Sequence, residues 1–213
     1  YGAAIRARLV DSITVDNSSF SNNTISDVSS HADGGVFALT DSHLTITDST
    51  FTTNGFYATI LRGGVIFSEV DTDTASVEIS RSTFESNSAG SGGVIYLLNG
   101  VDLEIVNSTF LDNDGLDDGG VIFSMQTEGG TPNNIDVSYV TAYDSYSGQT
   151  AGAFFYNCID NGGCDGTPSG STDYVFENSL IDGCDGDLSG AQFTNIFKYG
   201  NVDTCGTSGV VTN

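Results

Sequence analysis

The chain has 213 residues and a formal net charge of -23, because 5 Lys and Arg stand against 28 Asp and Glu. A surface that negative repels phosphate backbones and anionic lipid headgroups, which argues against nucleic-acid and membrane-surface partners and an acidic polysaccharide substrate, and no stretch approaches the roughly 20 apolar residues that membrane insertion of a helix needs. With 38% hydrophobic residues, 13 Phe and 9 Tyr the sequence can build a core, while 27 Gly, 2 Pro and 49 Ser plus Thr favour short strands and turns over helices.

Tyr1 opens the sequence with neither Met nor signal peptide, so a processed or partial chain is expected. Gly2 to Ile5 read as the tail of a repeat whose full copies follow in order: Ile13 to Phe20, Leu44 to Phe51, Val77 to Phe84 and Leu103 to Phe110. Each copy alternates apolar and polar residues, the mark of a strand with one buried face. Three residues past each Phe stands Asn23, Asn54, Asn87 or Asn113, and Gly-Gly-Val follows at Gly34, Gly63, Gly92 and Gly119, with spacings of 29, 29 and 27. Degenerate copies lead to Ala151-Gly152-Ala153 and Gly190-Ala191, Cys184 taking the Asn slot in the last. A period near 29 with several short strands is one turn of a solenoid. The expected fold is all-β, a right-handed parallel β-helix of about seven coils, roughly 34 Å long at ~4.8 Å per coil. It forms a single domain over 1–213, regular over 2–155 and degenerate, disulfide-stapled, over 156–213.

Phe20, Phe51, Phe84 and Phe110 should stack inside, each burial contributing about 1.5–3 kcal/mol. Asn23, Asn54, Asn87 and Asn113 are expected to form a second ladder at a corner, where the side chain bonds backbone and tolerates left-handed φ. After the glycines, Val36, Val65, Val94 and Val121 alternate with Phe37, Ile66, Ile95, Ile122 and Phe154, and then with Phe67, Tyr96, Phe123 and Phe155. Strict alternation puts the middle set on the outer face. That stripe is either covered by the chain's own excursions or is an assembly interface for another copy or another protein.

The pairing of Phe-x-x-Asn with Gly-Gly-Val-Ile segments over residues 2–195 resembles the repeats of the chlamydial polymorphic outer-membrane proteins. Their passenger domains are similar to right-handed β-helices of the pectate-lyase-like class. The resemblance implies surface exposure and adhesion.

Three Asn-x-Ser/Thr sequons fall at Asn17, Asn22 and Asn107, in repeat slots otherwise held by Asp48, Arg81, Thr53, Ser86 and Asp112, so N-glycans at solvent-facing acceptors are expected. The four cysteines, Cys158, Cys164, Cys184 and Cys205, lie where the ladders fail. Disulfides Cys158–Cys164 and Cys184–Cys205 are favoured among three pairings, pointing to an extracellular compartment. No catalytic set emerges. His31 and His43 read as turn residues, Asp117-Asp118 as a solvated corner, and the acidic stretch Asp112 to Asp118 as a loop with oxygen ligands for Ca²⁺ but without the spacing of a calcium loop. No cofactor is expected. The sequence reads as a secreted, non-enzymatic subunit of a surface assembly or filament, packing through solenoid ends and the outer stripe against copies of itself or a homologous subunit. An adhesin or carbohydrate-binding helix meeting glycans or a host surface, and a lyase-like polysaccharide enzyme, are the alternatives.

Overall fold

The computed structural model describes residues 4–25, 32–55, 61–147, 154–160, 173–181, 184–186, 192–194 and 196–198. One coil comprises Ile66–Glu69 in sheet A, Ala75–Ser80 in sheet B, Thr83–Glu85 in sheet C and Ser88–Ser91 in sheet D, and the next begins at Ile95–Leu98. Each strand pairs in parallel with its counterparts one coil away. Among the described residues sheets A, B and C are seven strands deep and sheet D five. The described elements are all strands.

Corners are made by residues with left-handed backbone. Gly34, Gly63, Gly92 and Gly119 turn the chain from sheet D into sheet A with φ between 61° and 72°. A Cβ at Gly63 would overlap the Ile66 carbonyl oxygen, so glycine is required there. Asn17, Asp48, Arg81, Asn107, Tyr139 and Asn178 hold positive φ between sheets B and C. The next corner is held by Asn22, Thr53, Ser86, Asp112 and Asp144. The left-handed residue therefore precedes the ladder asparagine, correcting the expectation that the asparagine itself takes that conformation.

Inside, Phe20, Phe51, Phe84 and Phe110 stack with centroids 5.2, 4.9 and 4.9 Å apart and planes within 7°. Phe20, at the end of the column, is only half-buried. Beside them runs the amide ladder. Asn54 Nδ2 donates to Asn87 Oδ1 and Asn87 Nδ2 to Asn113 Oδ1, both at 3.0 Å. The same oxygens accept the backbone N–H of Asn54 (2.9 Å) and Asn87 (3.0 Å). The second amide hydrogen of Asn87 reaches the Phe51 carbonyl at 3.0 Å. Asn23 joins the end of this ladder half-buried.

A third ladder escaped the sequence reading. Ser49 N–H donates to Ser82 Oγ (3.1 Å) and Ser82 N–H to Ser108 Oγ (3.2 Å), while each hydroxyl donates to the carbonyl two residues back. All three ladders stop between the same two coils, where Phe110 faces Ala142, Ser108 is succeeded by Val140 and Asn113 by Ser145.

The last coil departs from the expected register. Cys184–Gly186 pairs with Phe155 in sheet A, so Cys184 is not in the Asn slot, and Gln192–Thr194 lies in sheet B. Phe155, not Phe154, stands opposite Ile122. These segments lack the Gly-Gly spacing that fixes the earlier coils.

Removing the amide in Asn87→Ala is expected to destabilise the fold by about 2–4 kcal/mol, because it strands several buried partners at once. The exposed Thr50→Ala should stay within about 0.5 kcal/mol, both read by urea denaturation.

Candidate functional site

The surfaces that could meet a ligand or partner are set by which strand residues face outward. Phe37, Ile66, Ile95, Ile122 and Phe154 do not: all are fully buried in the solenoid core beside Val36, Val65, Val94 and Val121. The expected outer stripe is thus corrected to an inner one. Alternation cannot be counted through Gly-Gly-Val, because the strand starts after it. The N–H groups of Val36 and Phe37 both donate to the Val65 carbonyl (3.0 and 2.8 Å), so the chain bends between two residues that both point inward.

The outward column is instead Phe67, Tyr96, Phe123 and Tyr156, with centroids 5.6, 4.9 and 5.4 Å apart. It is covered, Phe67 being 2% and Tyr96 and Phe123 each 4% exposed. The Arg62 guanidinium lies 4.5 Å over Phe67 and is held by Asp33, its Nε donating to Oδ1 at 2.7 Å. The Tyr96 hydroxyl donates to Met125 Sδ at 2.7 Å, and burial pushes its phenol up to about 12 despite the Arg62 charge.

An open groove of about 610 Å³ runs along the outer face of sheet B, lined among others by His43, Ser76, Glu78, Asp102, Glu104 and Asp136. Glu78, Glu104 and Asp136 stand opposite one another on successive strands. His43 lies in the strand His43–Thr47 rather than in a turn, its Nδ1 2.9 Å from Ser76 Oγ. His31 lies outside the described residues.

Asp117 and Asp118 end the strand Asp114–Asp118 and are half-buried, which corrects both the solvated corner and the loop expected over Asp112 to Asp118. Burial, and then the charge of Asp117, push the Asp118 carboxyl up. Among the described residues no group of three or more His, Cys, Asp or Glu is placed to hold a metal ion.

The sequon residues Asn17, Asn22 and Asn107 are exposed at left-handed corners, with φ of 45°, 56° and 51°. Cys158 is fully buried against the outward aromatic column, and no described cysteine is free. Cys164, Cys205 and the side chain of Cys184 lie outside the described residues.

Sequence reasoning also missed Asp41, a buried carboxylate at φ 48°. Its oxygens accept the backbone N–H groups of Asp71 (2.8 Å), Thr72 (3.1 Å) and Asp73 (3.2 Å) and the Thr72 hydroxyl (3.0 Å), which anchors the loop between sheets A and B. Burial alone would raise this carboxyl, but these donors outweigh it and hold it at about 2.

These features define a parallel β-solenoid whose interior is a set of axial ladders and whose outer faces are acidic and polar. Residues 4–166 match the right handed beta helix region, and the chain belongs to that family of right-handed β-helices, which includes enzymes and non-enzymes. No curated protein and no solved structure matches the chain.

Because the Asp41 carboxyl is depressed from 3.8 to about 2 in the fold, its contribution is complete above about pH 4 and is lost as pH falls through about 2. The urea midpoint of Asp41→Asn should therefore lie well below that of the wild type at about pH 7, with the gap closing between about pH 4 and pH 2.

Proposed function

We propose that this chain is a structural or adhesive building block of an extracellular surface assembly and does not act as an enzyme. The observation that carries this reading is the stack of axial ladders, which ties successive coils into a rod whose outer faces are acidic and polar. Ile5–Arg8, Ile13–Asp16 and Ser19–Ser21 are edge strands of their sheets among the described residues. Ile13 and Phe20 are half-buried there, whereas their counterparts Leu44 and Phe51 one coil on are fully buried. Strands at such an edge pair, and their apolar columns stack, with whatever rung lies next, from the same chain or from a second copy. A second copy docked there makes a head-to-tail contact, which does not close and so propagates.

The Phe-x-x-Asn and Gly-Gly-Val repeat, with its likeness to surface passenger domains, supports an adhesive role. Exposed acceptors at Asn17, Asn22 and Asn107 support N-glycans, and the buried Cys158 supports stapling of the irregular coils through Cys158–Cys164 and Cys184–Cys205. The polar groove on sheet B favours a second reading, in which the rod binds neutral glycan chains along its acidic flank.

Negative-stain microscopy and light scattering across a concentration series should show rods several chain lengths long, shortened to single units by Ile13→Lys/Phe20→Lys in a variant that keeps its strand signal by circular dichroism. Single short rods at every concentration would remove the assembly reading. Intact mass of protein from a eukaryotic secretory host should fall on N-glycosidase treatment, with the loss abolished in Asn17→Gln/Asn22→Gln/Asn107→Gln.

A further inference from the structure

At the corner between sheets C and D, two successive coils meet at a cleft of about 150 Å³ that includes Ser86, Ser88, Asp112, Asp114 and Tyr146 in its lining. Asn87 and Asn113 turn inward as ladder residues, so the next residues, Ser88 and Asp114, turn outward on paired strands. Asp114 in turn stands opposite Tyr146 on the following coil. Ser86 and Asp112 sit at the left-handed corner with φ of 54° and 53°, and Ser86 Oγ donates to Asp112 Oδ2 at 3.2 Å.

The cleft holds two unanswered oxygens. Ser88 is only 6% exposed, and its hydroxyl has no hydrogen-bond partner. Asp114 Oδ1 is covered and equally without one. A buried oxygen left unmatched is costly, and buried polar groups are almost always paired.

We infer that this cleft binds a divalent cation of the calcium type, held by the carboxylates of Asp112 and Asp114 and the hydroxyl of Ser88, and that the ion clamps two successive coils together. Every available donor is oxygen, which selects a hard cation over zinc or copper. At about 30 Å³ per water, the cleft accommodates an ion with a few waters to complete its shell, and such an irregular, partly hydrated set suits calcium better than the strict octahedron of magnesium. One coil earlier Ser86 and Ser88 hold the positions of Asp112 and Asp114, and two coils earlier Thr53 and Gly55 do, so no carboxylate pair repeats there.

The test uses the full chain stripped with EDTA and then titrated with CaCl₂, or with Tb³⁺, whose emission the cleft-lining Tyr146 would sensitise. Calcium at about a hundredfold excess over its Kd should raise Tm by about 5–10 °C, and calcium should displace Tb³⁺ emission. Asp112→Asn/Asp114→Asn should lose both effects, and Ser88→Ala, which leaves the charge unchanged, should weaken calcium binding several-fold. Glu78→Gln/Glu104→Gln removes the same charge from sheet B and should keep both effects. Equal calcium shifts in the Asp and Glu double variants would overturn the site as mere screening of the net charge. A wild type showing neither a Tm shift nor Tb³⁺ emission would overturn it outright.

Discussion

Everything in this molecule rests on hydrogen bonds that run along the axis instead of around a core. Each coil contributes strands of only 2–6 residues, too short to be stable alone, and completes its backbone pairing only through the coils on either side. The buried amides of Asn54, Asn87 and Asn113 show the constraint at its most exacting. Each side chain satisfies backbone groups of the preceding coil and the amides of its neighbours together, so one substitution leaves partners in two coils unmatched.

The same geometry explains where the scarce bases sit. Arg81 forms a two-pronged pair with Asp48 one coil away, Arg62 joins Asp33 across one coil, and Arg8 reaches Asp71. These cations link rungs one or, for Arg8, two coils apart rather than neutralising the surface at large. Acids meanwhile accumulate on the outer face of sheet B, where parallel registry sets Glu78, Glu104 and Asp136 side by side. Like charges in register disfavour stacking, so the coils hold together there through backbone pairing and the buried Val77, Ile79, Leu103 and Ile105 beneath.

What was legible in the sequence was what recurs. The Phe and Asn columns could be read because the same residue types return at one spacing and the interior has a single place for them. The serine ladder also recurs, at Ser49, Ser82 and Ser108, but a serine before Phe looks like any polar strand residue until the axial bond is seen. The phase of the Gly-Gly-Val segment was misread because a two-residue period assumes a continuous strand, and the bend at Val36 and Phe37 turns both inward. Asp41 carried no signal, since its partners at Asp71, Thr72 and Asp73 form a loop that does not repeat. The final coil was mis-registered for the same reason: without glycine corners, nothing in the sequence counts the rungs.

The coincidence of three ladder ends between the coil of Phe110 and the coil of Ala142 has a mechanical consequence. Backbone pairing and the outward aromatic column, where Tyr96 stacks on Phe123, continue across that junction, but the inner phenylalanine, amide and hydroxyl columns do not. A rod pulled along its length yields first where the fewest interior columns cross a plane, so tension on the described coils concentrates there. The coils on the Phe110 side, joined by every column, stay one stiff segment, and the junction acts as a fuse at its border.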